Sequence, residues 1–295
     1  LHIIRTHIVP EGIEPIRFSD YAFKIFGEFS SRKGIKKAIK RGEIRINGQI
    51  APTGVWMQSG FQMDWVDLEE KLPKAYDMVL EVVYEDEALA VINKPAGINV
   101  SGNQFRTIEN ALSKNLRLSS APDALKWPRP VHRLDNPTSG LLLIAKTAKA
   151  RIKLGQEFEE KSIQKRYQAI VTGEIAEKGS IDLPVDDKAA FTEYERMEKV
   201  RSLKNDWLCL VNLYPKTGRT HQLRKHMASI GHPIMGDQLY GPEGKVFKGK
   251  GLFLVAVALQ FSHPDTQELV EIVIDTPPKF DALLRREERR WKKYH

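Results

Sequence analysis

Three short segments hold residue types that can do chemistry, and the first is the run from Val131 to Lys146. It places Asp135 two residues after Arg133 and three after His132, then enters Asn136-Pro137-Thr138-Ser139-Gly140. Those five residues form turns: proline fixes φ, glycine permits positive φ, and asparagine and serine bond to nearby backbone. Leu141 to Ala145 follows as an apolar run short enough for a buried strand. The order predicts a carboxylate at the lip of a sheet with a cation beside it. Such a carboxylate can act as nucleophile or base when its charge is balanced nearby. An arbitrary aspartate in a turn is more simply a structural Asx-turn.

The second segment is Lys165-Arg166-Tyr167, at the head of an alternating run that ends at Gly173. A tyrosine in a strand is usually a half-buried aromatic, yet its ring can stack on a planar base while its hydroxyl approaches a proton. The third is Lys216-Thr217-Gly218-Arg219-Thr220-His221-Gln222-Leu223-Arg224-Lys225-His226. Scattered basic residues on a surface helix would explain Arg219 and Lys225. Zinc is set aside, because His221 and His226 are five apart and no HExxH or cysteine pattern supports them. A kinase loop is excluded by the order His-Arg-Leu-Asp and by the missing glycine-rich phosphate loop.

The first run resembles the catalytic motif of the RluA-type pseudouridine synthases, HRLDxxTSGLLLxAK, at every fixed position. Lys165-Arg166-Tyr167 resembles that family's K-x-Y element. The third segment resembles its TGRTHQIRxH signature, with Leu223 in place of isoleucine, and Lys94-Pro95-Ala96-Gly97 matches its KPxG element. The resemblance implies conversion of uridine in RNA to its carbon-linked isomer, without cofactor or metal. It gives Asp135 the catalytic role, acting on the ribose at C1′ or at the 2′ proton. Tyr167 becomes the residue stacked near the target base and the candidate proton acceptor, and Arg224 the partner of Asp135. A guanidinium can bind a carboxylate bidentately and favour its ionised form in a dry pocket. Arg133 resembles the arginine that fills the space left by a flipped base, and Leu223 is expected to pack near the uracil. His132 and Lys165 are expected to contact substrate as well. In the KPxG element a backbone-shaping role is expected.

These segments need a scaffold and a polyanion to act on. The net charge of +8 favours nucleic acid as partner. The single cysteine, Cys209, rules out an intramolecular disulfide, and no apolar stretch reaches membrane-span length. The opening residues lack the charged-then-apolar order of a signal peptide, so a cytoplasmic protein is expected, as a monomer. The pattern predicts helices over 31–41, 147–161 and 285–294, and strands over 43–50, 79–84, 88–93, 141–145, 165–173, 207–213, 252–261 and 269–274. Strands outnumber helices after residue 76, which favours an α+β domain around a mixed, largely antiparallel sheet flanked by helices and loops.

The expected organisation is an N-terminal extension over 1–17, a small α/β domain over 18–68, a linker over 69–77 and a catalytic domain over 78–295. The small domain resembles the RNA-binding domain named after ribosomal small-subunit protein four. That resemblance makes Lys33, Lys36, Lys37, Lys40 and Arg41 phosphate contacts, since cations there neutralise phosphate and release counterions. A solvated basic helix on a cap domain is the plainer alternative. Large-subunit ribosomal RNA is the preferred substrate, with transfer RNA as the alternative. An RNA-binding assembly protein with lost catalysis, and a hydrolase or methyltransferase acting on RNA, are the competing functions; the intact Asp135, Tyr167 and Arg224 set disfavours the first. The absence of a cofactor motif disfavours the second.

Overall fold

The computed structural model describes residues 2–27, 29, 31–68, 75–241 and 251–295. The chain divides into two compact units, Leu1–Leu72 and Pro73–His295. Of the expected linker, residues 69–74 lie outside the described residues.

The first unit contains β1 (His2–Ile8), α1 (Phe18–Ile25), α2 (Arg32–Arg41), β2 (Ile44–Ile46) and β3 (Gln62–Asp67). Its core is built from Phe18, Ala22 and Phe26 against Ile35, Ile39, Ile44 and Met63. The α2 boundaries are those that the local chemistry dictates. The Ser31 hydroxyl accepts from Gly34 N–H at 3.1 Å, and Gly42 closes the helix at φ +77°. Ile35 and Ile39 point inward, so Lys33, Lys36, Lys37 and Lys40 are left exposed on the other side. Arg41 is also exposed but is held bidentately by Glu43, at 2.6 and 2.9 Å.

Two features of this unit differ from expectation. Residues 2–8, expected within an extension, are an edge strand of the sheet β1-β3-β2, with Ile8 opposite Gln62. Ile3, Ile4 and Ile8 are exposed, so ladder hydrogen bonds rather than burial hold β1, and no apolar periodicity announces it. The strand expected over 43–50 stops at Ile46, because Asn47 and Gly48 take positive φ and turn the chain.

The second unit carries β4 (Glu81–Glu85), β5 (Leu89–Lys94), α3 (Ile108–Asn115), β6 (Ala124–Pro130), β7 (Ser139–Thr147), α4 (Ala148–Glu160) and β8 (Gln164–Thr172). Then come β9 (Lys178–Asp182), β10 (Phe191–Ser202), β11 (Asp206–Pro215), α5 (Gln222–Ser229), β12 (Leu254–Ser262), β13 (Leu269–Val273) and α6 (Lys279–Tyr294). Among the described residues they form one sheet in the order β4-β5-β7-β12-β8-β11-β10-β9, with β6 on β7 and β13 on β12. The fold is α+β, and β7 pairs with β12 in parallel while the other described pairs are antiparallel. No helix among the described residues is long and apolar enough to cross a membrane.

Registers across the sheet centre decide where the chemistry sits. Gly140 lies opposite Ala256, Ala256 opposite Tyr167, and Tyr167 opposite Leu213. The row therefore joins the turn that carries Asp135, the strand that carries Tyr167 and the strand that feeds the Arg224 helix. Gly140 is needed for this. Its φ is +112°, and a Cβ there would collide with the Ala256 backbone.

Candidate active site

Asp135 opens a tight turn in which Thr138 N–H donates to its carbonyl at 3.0 Å. The next carbonyl, that of Asn136, accepts from Gly97 N–H at 2.8 Å and from Lys94 Nζ at 3.2 Å. Lys94 is fully buried and also donates to the Pro95 carbonyl at 2.9 Å. Burial pushes its pKa down to about 8, with the charge of Asp135 opposing the shift. Lys94-Pro95-Ala96-Gly97 thus anchors the Asp135 turn from the neighbouring strand β5, and Gly97 at φ +89° supplies the corner.

The facing wall is the loop from Lys216 to His221 and the start of α5. Gln222 fixes it. Its Oε1 accepts from the Thr217 hydroxyl at 2.6 Å and Arg219 N–H at 3.0 Å, while its Nε2 donates to the Phe191 carbonyl and the Thr192 hydroxyl. His226 completes the network. Its Nε2 faces the Leu183 carbonyl, which can only accept, so the proton sits there and Nδ1 accepts from the Thr192 hydroxyl. Burial lowers the His226 pKa, consistent with a neutral ring.

This wall presents two donors to Asp135. Arg224 Nη1 lies 3.6 Å from Oδ2, and His221 Nε2 lies 3.8 Å from Oδ1. The expected bidentate Arg224–Asp135 pair is not what forms. Arg224 gives Nε and Nη2 to Asp237, at 2.7 and 2.8 Å, and offers Asp135 only its remaining nitrogen. The reason is burial: a guanidinium with a side chain only 4% exposed needs a fully desolvated partner, and the Asp237 side chain is 0% exposed. Burial opposes charge on both groups, but their mutual bonds outweigh it, so the Arg224 pKa is raised and the Asp237 pKa lowered.

Tyr167 closes the cleft between the two walls. Burial, and then the charge of Asp135, push its phenol pKa upward, so the hydroxyl stays protonated beside the carboxylate. His132 stacks on Phe158 with centroids 4.7 Å apart, and its Nε2 accepts from Leu143 N–H at 3.0 Å. That bond spends the ring on holding strand β7, although the residue was expected to contact substrate. Lys165 Nζ sits 5.9 Å from the same Phe158 ring, and burial lowers its pKa.

The cleft has a volume of about 530 Å³, within the range of sites that enclose a small ligand. All seven residues singled out around the motifs line it: His132, Arg133, Asp135, Lys165, Tyr167, Leu223 and Arg224. Arg133 is exposed where the cleft meets a groove lined by Glu109, Arg129 and Arg151. Residues that sequence reasoning did not assign to the site are Asp237 and Tyr240, and His221 entered it only as a rejected metal ligand. Asp237 lies 13 residues beyond Arg224, and no spacing signal links the two.

A stability prediction follows from His132. Burial, then Lys165, lower its pKa from 6.5 to about 3, so between those values the unfolded chain binds a proton that the folded ring refuses. Its contribution is present above pH 6.5 and is lost as pH falls through the window. His132→Gln keeps an acceptor for Leu143 and should lose about 2–3 kcal/mol less stability than the parent between pH 7 and 4.5. Urea denaturation at both pH values tests this, and an equal loss would show that another group governs acid unfolding.

Comparison with known proteins gives this geometry its setting. The family model described as RNA pseudouridylate synthase matches residues 88–229, which include Asp135, Tyr167 and Arg224. The ribosomal large subunit pseudouridine synthase D of Pseudomonas aeruginosa is 35% identical, over 81% of this chain and 78% of its own length. An uncharacterised RNA pseudouridine synthase of Bacillus subtilis is 32% identical, over 86% and 88%. The solved structure of human RNA pseudouridylate synthase domain containing 1 superposes with a TM-score of 0.57 at 27% identity, covering 69% of this chain and 86% of that one. The chain belongs to the RNA pseudouridylate synthase family, isomerases that convert uridine in RNA to pseudouridine.

Proposed function

We propose that this protein isomerises uridine in large-subunit ribosomal RNA and that Asp135 performs the reaction on the ribose. The observation that carries the reading is Asp135 in a cleft, 17% exposed, with Arg224 and His221 on one side and Tyr167 across from it. The substrate class rests on the names of relatives such as the Pseudomonas aeruginosa enzyme. The protein acts as a cytoplasmic monomer without cofactor or metal.

A uridine stacked in RNA cannot reach Asp135, so it flips into the cleft. Arg133, exposed at the mouth, fills the gap in the stack, and Arg151 in the adjoining groove takes a phosphate, with Arg129 contributing less because Glu109 already holds it. Asp135 attacks C1′ or removes the 2′ proton, and the bond from N1 to C1′ breaks. The uracil turns and C5 bonds to C1′ as the Asp135–C1′ bond breaks, or as the 2′ proton returns to the ribose; the C5 proton leaves and N1 ends with a proton, so no atom is gained or lost. Tyr167 stacks on the base. As a protonated phenol it cannot accept the C5 proton while Asp135 carries its charge. An acceptor role requires the phenol to lose its own proton first, against the burial that raises its pKa most and the Asp135 charge that raises it further.

In the first unit, which resembles the RNA-binding domain of ribosomal small-subunit protein four, Lys33, Lys36, Lys37 and Lys40 contact phosphate. Arg41 contributes less because Glu43 already holds it. Replacing the four exposed lysines with glutamine should reduce the slope of log affinity against log salt by roughly 3, at about 0.7–0.9 per phosphate contact. Filter binding across a salt series measures it, and an unchanged slope would remove α2 from the RNA interface.

Mapping pseudouridine in total RNA from cells with and without the gene tests the substrate. Loss of modification at specific uridines of large-subunit ribosomal RNA is expected. Loss confined to transfer RNA would overturn the substrate assignment and leave the chemistry standing.

A further inference from the structure

The two donors that face Asp135 are both held by one short segment. Asp237 takes two nitrogens of Arg224, which turns the third toward Asp135. The Tyr240 hydroxyl lies 2.9 Å from His221 Nδ1, and its ring meets the imidazole edge-on, with centroids 5.7 Å apart. Asp237 Oδ1 also accepts the N–H groups of Leu239 and Tyr240, at 2.9 and 3.1 Å. The carboxylate that orients Arg224 therefore also fixes the backbone that carries Tyr240. The Arg224 guanidinium lies 5.1 Å from the Tyr240 ring centre, so the two arms brace each other.

His221 is placed with care. It has φ +56°, a left-handed conformation costly for a residue with a side chain, and the Gln222 network on its C-terminal side maintains it. Its Nε2 faces a carboxylate oxygen, which favours a proton on that nitrogen. In the neutral ring Nδ1 then accepts, and the Tyr240 hydroxyl is the donor. At 3.6 and 3.8 Å the contacts to Asp135 are longer than hydrogen bonds, as in catalytic sites that tighten when substrate arrives.

We propose that Asp237 and Tyr240 form a clamp that positions the Asp135 carboxylate through Arg224 and His221, with Tyr240 selecting the His221 tautomer that donates from Nε2. This rests on the reading of Asp135 as the reacting group. His221, Asp237 and Tyr240 are positioning residues: none has to touch the reacting atoms. One carboxylate oxygen stays facing its donor while the other turns to the ribose.

The test is a double-mutant cycle on the full chain, read as single-turnover kcat and KM for RNA. Tyr240→Phe should lower kcat about tenfold, the effect of one lost orienting hydrogen bond, with KM within about twofold. His221→Gln presents an amide N–H near the position of Nε2 and needs no tautomer selected, so it should stay within about fivefold of the parent. Adding Tyr240→Phe to His221→Gln should then change kcat by less than about twofold, because the route through the imidazole is gone. The clamp is overturned if Tyr240→Phe has no effect on kcat, if its tenfold loss persists in the glutamine background, or if His221→Gln alone loses more than about a hundredfold. Asp135→Asn run alongside separates this from the parent reading: turnover by that variant within tenfold of the parent would sink the role of Asp135, whatever the clamp shows.

Discussion

Asp135→Asn should bind RNA as tightly as the parent and lose pseudouridine formation by at least about 10⁴-fold in kcat, the scale on which single members of a catalytic set are lost. The amide has the same shape and fits the same turn, whose Asp135 bond to Thr138 N–H uses the main-chain carbonyl. It offers one acceptor oxygen where the carboxylate offers two to Arg224 and His221, and it can neither attack C1′ nor take the 2′ proton. Filter binding beside a turnover assay separates the two effects. Turnover within tenfold of the parent would remove Asp135 from the mechanism, and loss of binding would make it an RNA contact instead.

Arg224→Met is expected to lose both activity and stability. Asp237 would be left in a fully desolvated position with, among the described residues, the Leu239 and Tyr240 N–H groups as its remaining donors. Breaking such a buried pair from one side costs about 3–5 kcal/mol. For a unit of this size that is a drop in Tm of roughly 10 °C. Asp135 loses its guanidinium neighbour at the same time, so kcat falls steeply even at temperatures where the variant is folded. Arg224→Lys restores a charge but has one ammonium for two carboxylates, so partial recovery of Tm with little recovery of kcat is expected. Thermal denaturation and turnover on the same preparations decide the matter. An unchanged Tm with activity gone would mean that Arg224 serves Asp135 or RNA and that its bonds to Asp237 hold little of the fold.

What the sequence reveals of this site is what is local in the chain. The turn at Asp135 is written in Asn136-Pro137-Thr138-Ser139-Gly140, and the strand after it in Leu141 to Ala145, all of them buried. Helix α4 follows the four-residue spacing of Ala150, Leu154 and Phe158, and Thr147 caps it by accepting Ala150 N–H at 3.1 Å. The α+β class follows from strands outnumbering helices. Long-range partners are a different matter. Arg224 reads as the mate of Asp135 because both lie in motifs, whereas Asp237 wins the bidentate geometry by being buried beside it. Strand β10, with charge on both faces in Glu193, Glu195, Arg196, Glu198 and Lys199, carries no alternation of apolar and polar residues. It forms because β11 on one side and β9 on the other complete its ladder. His132 reads as a substrate contact from its place in the motif, and only the fold reveals that Leu143 N–H claims its free nitrogen.

The most direct measurement is release of tritium from RNA carrying 5-tritiated uridine, with the length of the RNA followed on a gel. Isomerisation frees the C5 label and leaves the chain uncut, so the parent protein should release tritium in proportion to enzyme and time from large-subunit ribosomal RNA, and Asp135→Asn should release none above background. Uncut RNA with no tritium released by the parent protein, or equal release by Asp135→Asn, would contradict the account.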